Sequence, residues 1–155
     1  MGWVLDFRVS DEQRELADAV RAFAEGELND DLIARDRAGE FSRAGWQACA
    51  RMGIQGLHVP EAWGGQGQSL LTTALVCEAL GRGCRENGLT FSLNAQIWSV
   101  EMPILHFGSD EQKERYLRPM VEGTRIGAHG MSEPDSGSDA LALRTRARRD
   151  GDGYV

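Results

Sequence analysis

The spacing of apolar residues along this 155-residue chain changes at Gly123. Before that glycine, apolar side chains recur every three or four positions, which is the period of amphipathic helices. After it, residues 141–147 alternate apolar or small side chains with arginines, which is the pattern of a half-buried strand. Two periods in a chain of this length indicate one helical unit and part of a β-rich unit. We therefore predict a mainly α fold, with an N-terminal helical bundle over residues 1–122 and an incomplete antiparallel β segment over residues 123–155.

Serines and glycines mark where helices begin and end. Ser10 and Ser109 each precede Asp-Glu-Gln, and a serine with glutamine three residues later is the signature of a capping box. Gly53 and the glycines at 81–83 favour helix ends. The pattern predicts helices that begin after Ser10, Ser42, Ser69 and Ser109, with a glycine-rich loop over residues 60–68.

The segment from Gly88 to Phe107 is apolar on nearly every face. A helix without a polar face is buried inside a bundle, so we predict that this helix is enclosed by its neighbours. Pro103 is expected to kink or end it, and Pro119 is expected to limit the helix that follows, because proline clashes with the preceding helical turn.

The chain beyond Gly123 predicts strands. We expect strands at 126–131 and 141–147, a hairpin turn at 149–153 and the start of another strand at 154–155. Arginines line one face of the second strand, and they either form a solvated face or reach an anionic ligand.

Composition and motifs argue against several classes of partner. The formal net charge of −7 disfavours nucleic acid or an anionic membrane, because both are negatively charged. No apolar run approaches the length of a membrane span, and Asp6 and Arg8 interrupt the N-terminus before any signal-peptide core. Cys49, Cys77 and Cys84 are odd in number and lack metal-site spacing. We expect a cytoplasmic protein with no metal, no nucleic acid and no membrane partner.

The polar segment from Gly127 to Asp139 has the richest chemistry. Its turn-forming residues indicate a tight loop. Backbone N–H groups around Gly137 and Ser138 can form an anion-binding nest, and the hydroxyls of Ser132 and Ser138 can donate to a ligand. Glu133 is expected to brace the loop by accepting from its own backbone, since a carboxylate repels phosphate. A surface loop without a ligand is an open alternative on these residues alone.

Several motifs, in this order, resemble those of the acyl-CoA dehydrogenase family. Pro60 to Gly67 matches P-x-x-x-G-G-x-G after the segment Met-Gly-Ile-Gln-Gly-Leu at 52–57. Gly108 to Leu117 resembles G-[ST]-x-x-Q-K-x-x-Y-L, and residues 131–139 resemble the flavin-binding signature A-x-T-E-P-x-A-G-S-D. The resemblance implies the family's N-terminal helical domain followed by the start of its middle β-domain.

The resemblance also implies that the loop binds FAD. The implied cofactor-binding residues form one continuous run: His129, Gly130, Met131, Ser132, Glu133, Pro134, Asp135, Ser136, Gly137 and Ser138. The family's threonine at the position of Ser132 bonds the flavin ring, and the serine matching Ser138 lies near both the pyrophosphate and the acyl-CoA. Ser138 is therefore implied in substrate binding as well. The family's catalytic base comes from a C-terminal helical domain, beyond residue 155, so no catalytic residue is assigned here.

The implied activity is α,β-dehydrogenation of an acyl-CoA thioester, with hydride transfer to flavin and an electron-transfer flavoprotein as acceptor. Full-length members are implied to be homotetramers or homodimers, and this chain alone is expected to be inactive. Flavin monooxygenases and acyl-CoA oxidases share the fold and begin in the same way. A non-catalytic helical module for interaction or assembly is an alternative of another class. A group of central apolar residues either shapes the far end of an acyl pocket or is simple bundle core: Leu93, Ile97, Trp98 and Met102.

Overall fold

The structure, a computed structural model, describes residues 8–155. In this part of the chain the helices are α1 (Asp11–Glu27), α2 (Leu32–Ala38), α3 (Arg43–Arg51), α4 (Leu70–Gly83), α5 (Asn87–Gln96), α6 (Met102–Phe107), α7 (Asp110–Gln112) and α8 (Arg118–Val121). Two π-helical segments, π1 (Ile97–Glu101) and π2 (Lys113–Leu117), join α5 to α6 and α7 to α8. Single 3-10 turns lie at Glu61–Trp63 and Ala140–Ala142, and a short antiparallel pair is formed by β1 (Arg149–Asp150) and β2 (Gly153–Tyr154).

This architecture confirms the mainly α prediction. The first seven residues of the predicted helical unit, with the pattern around Asp6, lie outside the described residues. None of the helices within 8–155 combines the length with the hydrophobicity that crossing a bilayer requires.

Both predicted capping boxes form. The Ser10 hydroxyl accepts from the Gln13 N–H at 3.2 Å, and the Gln13 side chain accepts from the Ser10 N–H at 3.0 Å. Ser109 and Gln112 make the same reciprocal pair at 3.3 and 2.8 Å. These bonds satisfy N–H groups that a helix start leaves without partners, so the local sequence fixes where α1 and α7 begin.

The core lies where α1 packs along α4, with α3 and α5 against them. The buried side chains of this core include Val20, Ala24, Trp46, Cys49, Ile54, Leu57, Val76, Leu80, Leu89 and Leu93. A second cluster of Val59, Leu117 and Val121 attaches the segment before the 60–68 loop to π2 and α8.

Gly83 lies at a close approach of α4 to α1. A Cβ atom at this position would lie 2.6 Å from the Arg21 carbonyl oxygen and 2.8 Å from the Ala24 Cβ. Asn29, just beyond α1, donates to the Gly83 carbonyl at 2.9 Å and accepts from the Arg85 N–H at 2.7 Å. The predicted helix end at Gly83 is confirmed, and the close approach gives a second reason for glycine here.

Helix α2 was not predicted, because its residues carry no apolar stripe. No residue of α2 is buried, and its preceding residue Asp31 makes no side-chain cap. The helix is tied to the bundle by an ion pair of 2.5 Å between Arg35 and Glu86, at the start of α5. Such a helix depends on a long-range contact, which a local pattern does not reveal.

Both π segments end just before a proline. Pro103 and Pro119 lack an N–H, and their rings crowd the carbonyl four residues back. The turn widens instead: the Met102 N–H donates to the Ile97 carbonyl, five residues back, and the Arg118 N–H makes the equivalent bond in π2. The helices therefore continue past both prolines and do not end there.

The segment from Gly88 to Phe107 is buried on one side only, so the prediction that its neighbours enclose it is wrong. Leu89, Leu93 and Ile97 are fully buried, whereas the side chains of Phe91 and Phe107 are 70% and 89% exposed. The reason is that α5 packs on α3 and α4 by a single face. Further along, Ile104 and Leu105 of α6 pack on the second cluster, and Phe91 and Phe107 are left exposed.

The predicted strands at 126–131 and 141–147 do not form. The predicted turn at 149–153 is confirmed: β1 and β2 pair across it, and Arg148 and Val155 exchange backbone hydrogen bonds of 2.8 and 2.9 Å. A strand needs a neighbour to satisfy its backbone N–H and C=O groups. In the described part of the chain, 126–131 and 141–147 have no such neighbour.

Two buried ionisable groups are associated with π1: Glu101 belongs to it, and His58 packs against it. Glu101 has no exposed surface, and burial raises its pKa to about 8, although the hydrogen bond from Gln96 acts in the opposite direction. His58 stacks on Trp98 with 6.3 Å between ring centroids. Burial, with a smaller effect from nearby His106, lowers the His58 pKa to about 4. Both groups are therefore expected to be neutral at pH 7.

Gly83→Ala should lower the free energy of unfolding by about 1–3 kcal/mol, because the added methyl group would collide with α1. Gly81→Ala is the matched control in the same helix, since nothing lies within 4 Å of its Cβ position. That substitution should raise stability by up to about 1 kcal/mol through helix propensity. Urea denaturation of the two variants measures both effects, and equal changes would contradict the close approach.

Glu101→Gln should stabilise the protein more at pH 8 than at pH 5. The folded-state pKa of about 8 lies above the ordinary value of 4.5, so the folded protein retains a proton that the unfolded chain releases. The contribution of Glu101 to stability is therefore full below about pH 4.5 and is lost as the pH rises towards 8. Glutamine does not ionise, so the gain from the substitution should grow across this range.

Denaturation of wild type and Glu101→Gln at both pH values makes the comparison. A stability difference that is the same at pH 5 and pH 8 would mean that the pKa of Glu101 is not raised by folding.

Candidate functional site

The polar loop begins against the helical bundle and then runs over the surface. The Gly127 N–H donates to the side-chain oxygen of Gln96 at 2.8 Å. A Cβ at Gly127 would lie 2.7 Å from both the Met120 Sδ and a Val100 methyl, so the backbone here touches π1 and α8 directly. From Ala128 to Ser132 every residue is exposed. The bundle therefore fixes the start of the loop and leaves its next five residues open.

The Glu133 carboxylate ties the loop to the segment that follows it, whereas the sequence predicted a bond to the loop's own backbone. Its carboxylate accepts from the N–H groups of Arg144 and Thr145, both at 2.8 Å. Hydrogen bonds from Thr145 and then Arg144 lower the Glu133 pKa, which keeps the carboxylate charged. Glu133 and Ser136 also exchange backbone bonds of 2.8 and 3.2 Å around the turn at Pro134.

Ser136 is buried within the loop and bonds the loop's own backbone. Within the 129–138 run it is the buried residue, and its hydroxyl donates to the Asp139 carbonyl at 2.7 Å. The resemblance implies that Ser136 contacts the cofactor with the rest of the run. In the structure its hydroxyl closes the turn.

The exposed side of the loop carries unused donors. Ser132 and Ser138 are exposed, and their hydroxyls have no hydrogen-bond partner among the described residues. Nothing lies within 4 Å of the Cβ positions of Gly130 or Gly137, so a ligand has room to approach the backbone. The backbone of Gly137 does not adopt positive φ, so the nest built from a left-handed residue is not formed there.

Charged groups near the loop have both signs. Arg144 lies 3.7 Å from the carboxylate of Asp135, and both side chains are largely exposed. The neighbouring arginines of this basic segment are exposed as well, namely Arg146, Arg148 and Arg149. His129 is exposed, and Met131 is 43% exposed.

Three glutamates of the described chain are each engaged in structural contacts. Glu78 pairs with Arg82 at 2.6 Å on the exposed face of α4, Glu101 is enclosed in the bundle, and Glu133 serves the loop backbone. The described residues include no cluster of three or more histidines, cysteines or carboxylates suited to a metal ion.

The central apolar residues divide between two environments. Leu93 and Ile97 are fully buried in the bundle, whereas Trp98 and Met102 are half-buried. The cysteines are free, and burial raises the pKa of Cys49 to about 12 and that of Cys77 to about 11. Neither thiol is therefore suited to act as a nucleophile near pH 7.

Gln96 is the functional candidate that the sequence did not reveal. It is fully buried in an apolar helix, and its contact with Gly127 joins residues 31 positions apart. A lone glutamine in such a helix gives no local signal of a contact at that distance.

Comparison with known proteins identifies the family. Residues 10–124 match the family model described as acyl-CoA dehydrogenase, N-terminal domain. The mitochondrial short-chain specific acyl-CoA dehydrogenase of Homo sapiens is 38% identical over 140 residues, which cover 90% of this chain and 34% of the human protein.

Solved structures agree. The prolyl acyl carrier protein oxidase AnaB is 42% identical with a TM-score of 0.89, over 96% of this chain and 39% of that protein. PigA with FAD and proline is 35% identical with a TM-score of 0.89, over 97% of this chain and 39% of that one. The chain thus spans less than half the length of these relatives. Because the family model covers most of its residues, the chain belongs to the acyl-CoA dehydrogenase family.

Proposed function

We propose that these residues form the N-terminal portion of an FAD-dependent enzyme that introduces an α,β double bond into an acyl thioester. The observation that carries this proposal is the loop from His129 to Ser138. It is held by Ser136 within the loop and by Glu133, which bonds the backbone at 144–145, and its Ser132 and Ser138 hydroxyls are exposed and unpartnered among the described residues. A loop braced on one side with free donors on the other is suited to bind a polar cofactor.

The loop offers hydrogen-bond donors and an open backbone to FAD. Ser132 and Ser138 offer hydroxyls to a ring or a phosphate, and the open backbone at Gly130 and Gly137 permits close approach. The Glu133 carboxylate is already occupied by two backbone N–H groups, so its charge is turned away from a bound pyrophosphate. This arrangement supports the signature match in the sequence.

In the proposed site the run His129 to Ser138 contacts the cofactor. Ser132 bonds the flavin ring, and Ser138 contacts both the pyrophosphate and the substrate thioester. When bound, FAD supplies the ring that accepts a hydride from the substrate. The residues of this chain bind and orient it, and the base that removes the substrate α-proton is provided from outside residues 1–155.

The boundary near Gly123 supports a division into two units, 1–122 and 123–155. Gly123 adopts a left-handed backbone with φ of 71°, and a Cβ there would lie 2.5 Å from the Ala50 Cβ. Among residues 124–155, all of which the structure describes, only Ser136 is buried. The second unit thus depends on contacts other than its own core.

We propose an acyl thioester as the substrate class, carried either on coenzyme A or on a carrier protein. The two carriers appear in the names of similar proteins, a human acyl-CoA dehydrogenase and a prolyl acyl carrier protein oxidase. The whole enzyme is proposed to be a homodimer or homotetramer that passes electrons to an electron-transfer flavoprotein. Oxygen is the competing acceptor, as the name of the oxidase relative indicates.

We expect the purified 155-residue chain to bind little flavin compared with a longer protein that contains it. Ligand sites bury most of their ligand, whereas nine of the ten residues from His129 to Ser138 are exposed or only partly buried here. The 155-residue chain should therefore retain little flavin, and a longer protein containing it should purify with bound FAD. Absorbance at the flavin bands measures both, and a stoichiometric flavin on the short chain would contradict this account.

Serine variants of the longer protein test the loop itself. Ser138→Ala should weaken FAD or substrate binding by about 1–3 kcal/mol, the usual cost of leaving a buried partner unsatisfied. Ser132→Ala should lower flavin occupancy or shift its spectrum. Ser132→Thr is the matched control and should be nearly neutral, because it keeps the hydroxyl.

Flavin content and titration with CoA-linked and carrier-linked thioesters make these measurements. If both alanine variants match wild type in every assay, the loop is a surface turn without a ligand. A longer protein that binds no flavin at all would favour the non-catalytic helical module.

A further inference from the structure

We propose that Gln96 is a positioning residue for the flavin-binding loop, because its buried amide, oriented by Glu101, fixes where the chain leaves the helical bundle at Gly127. The inference rests on the proposed function, since the loop is taken to hold FAD. Gln96 would not touch the cofactor. It would act through the path of the backbone towards Ser132.

The Gln96 amide joins three separate elements. Its oxygen accepts from the Gly127 N–H at 2.8 Å, and its nitrogen donates to the Glu101 carboxyl at 2.7 Å and, more weakly, to the Met120 carbonyl at 3.5 Å. Gln96 and Glu101 have no exposed surface. Because an amide has one accepting end and one donating end, the two acceptors fix the nitrogen and leave the oxygen for Gly127.

The π1 segment makes this pair possible. Gln96 and Glu101 are five residues apart, which in an α-helix places side chains about 140° apart around the axis. The π turn hydrogen-bonds residues five apart, so it brings such positions onto one face. The widened turn before Pro103 thus creates the contact that orients the Gln96 amide.

The loop has few other attachments at this end. Residues 128–132 make no hydrogen bond to any other described residue. Ser132 is therefore held between two anchors, the Gln96 bond at Gly127 and the bonds of Glu133. Removal of the first anchor should free the backbone up to the second.

Gln96→Met removes both ends of the amide while keeping the length of the side chain, and Glu101→Met removes only the group that orients it. Glu101→Gln retains a carbonyl acceptor and is the conservative variant. Gln55→Met is the matched control, because Gln55 is also fully buried and its nitrogen donates to the Trp46 carbonyl at 3.0 Å. All four are made in the longer protein that contains this chain.

Two measurements are compared across these variants. Hydrogen–deuterium exchange over residues 124–139 reports the backbone without requiring flavin. In Gln96→Met, exchange at Gly127 should rise about tenfold, and the FAD dissociation constant should rise by a similar factor, the effect of one lost buried hydrogen bond. Glu101→Met should shift both quantities in the same direction by less, while Glu101→Gln and Gln55→Met should leave both near wild type.

The outcomes separate this inference from the proposed function. Exchange in Gln96→Met no faster than in Gln55→Met overturns the positioning role, and so does faster exchange with unchanged FAD affinity and flavin spectrum. If the wild-type protein binds no FAD, the proposed function fails, and the role of Gln96 towards a flavin fails with it. In that case the exchange data decide separately whether Gln96 anchors the loop.

Discussion

The requirement that backbone N–H and C=O groups find partners shapes both parts of this chain. In the bundle the helices meet it internally, and the serine caps complete their first turns. Pro103 disturbs that pattern, and the helix responds with a π turn rather than a break. The same turn brings Gln96 and Glu101 together. The missing N–H of Pro103 therefore affects how the loop is attached to the bundle.

Beyond Gly123 the backbone is supported by short-range backbone bonds in turns and by a few side chains. Within the described residues no sheet larger than the β1–β2 hairpin is present, and Gln96, Glu133 and Ser136 supply bonds that strands would otherwise provide. This support is directed inwards, which leaves Ser132 and Ser138 facing outwards. The proposed cofactor site rests on this arrangement, in which some side chains bond the backbone and the two serine hydroxyls stay exposed.

The parts of the fold that depend on local chemistry could be predicted from sequence. Ser10 and Ser109 predict helix starts because each hydroxyl accepts from the N–H only three residues later. The turn around Gly151 is predicted by its glycine and the aspartates on either side. That Glu133 would accept from backbone N–H groups was also predictable, because its carboxylate lies in a turn-rich loop. Its partners, Arg144 and Thr145, lie beyond the loop and were not predicted.

Features that depend on distant partners were missed or wrongly predicted. Helix α2 is held by Arg35 on Glu86, the strands lack neighbours, and Gln96 contacts a residue 31 positions away. The π segments were missed for another reason. Proline predicts a disturbed turn, but whether the helix ends or widens depends on the packing around it.

The central claim is that the loop from His129 to Ser138 holds FAD. A crystal structure of the longer protein with FAD bound is the most direct measurement. The account predicts flavin ring or phosphate atoms within hydrogen-bond distance of the Ser132 and Ser138 hydroxyls, with Glu133 still bonded to Arg144 and Thr145. Two results would contradict the account. FAD could bind at a surface that does not include this loop, or FAD could be present at full occupancy while the Ser132 and Ser138 hydroxyls contact only solvent.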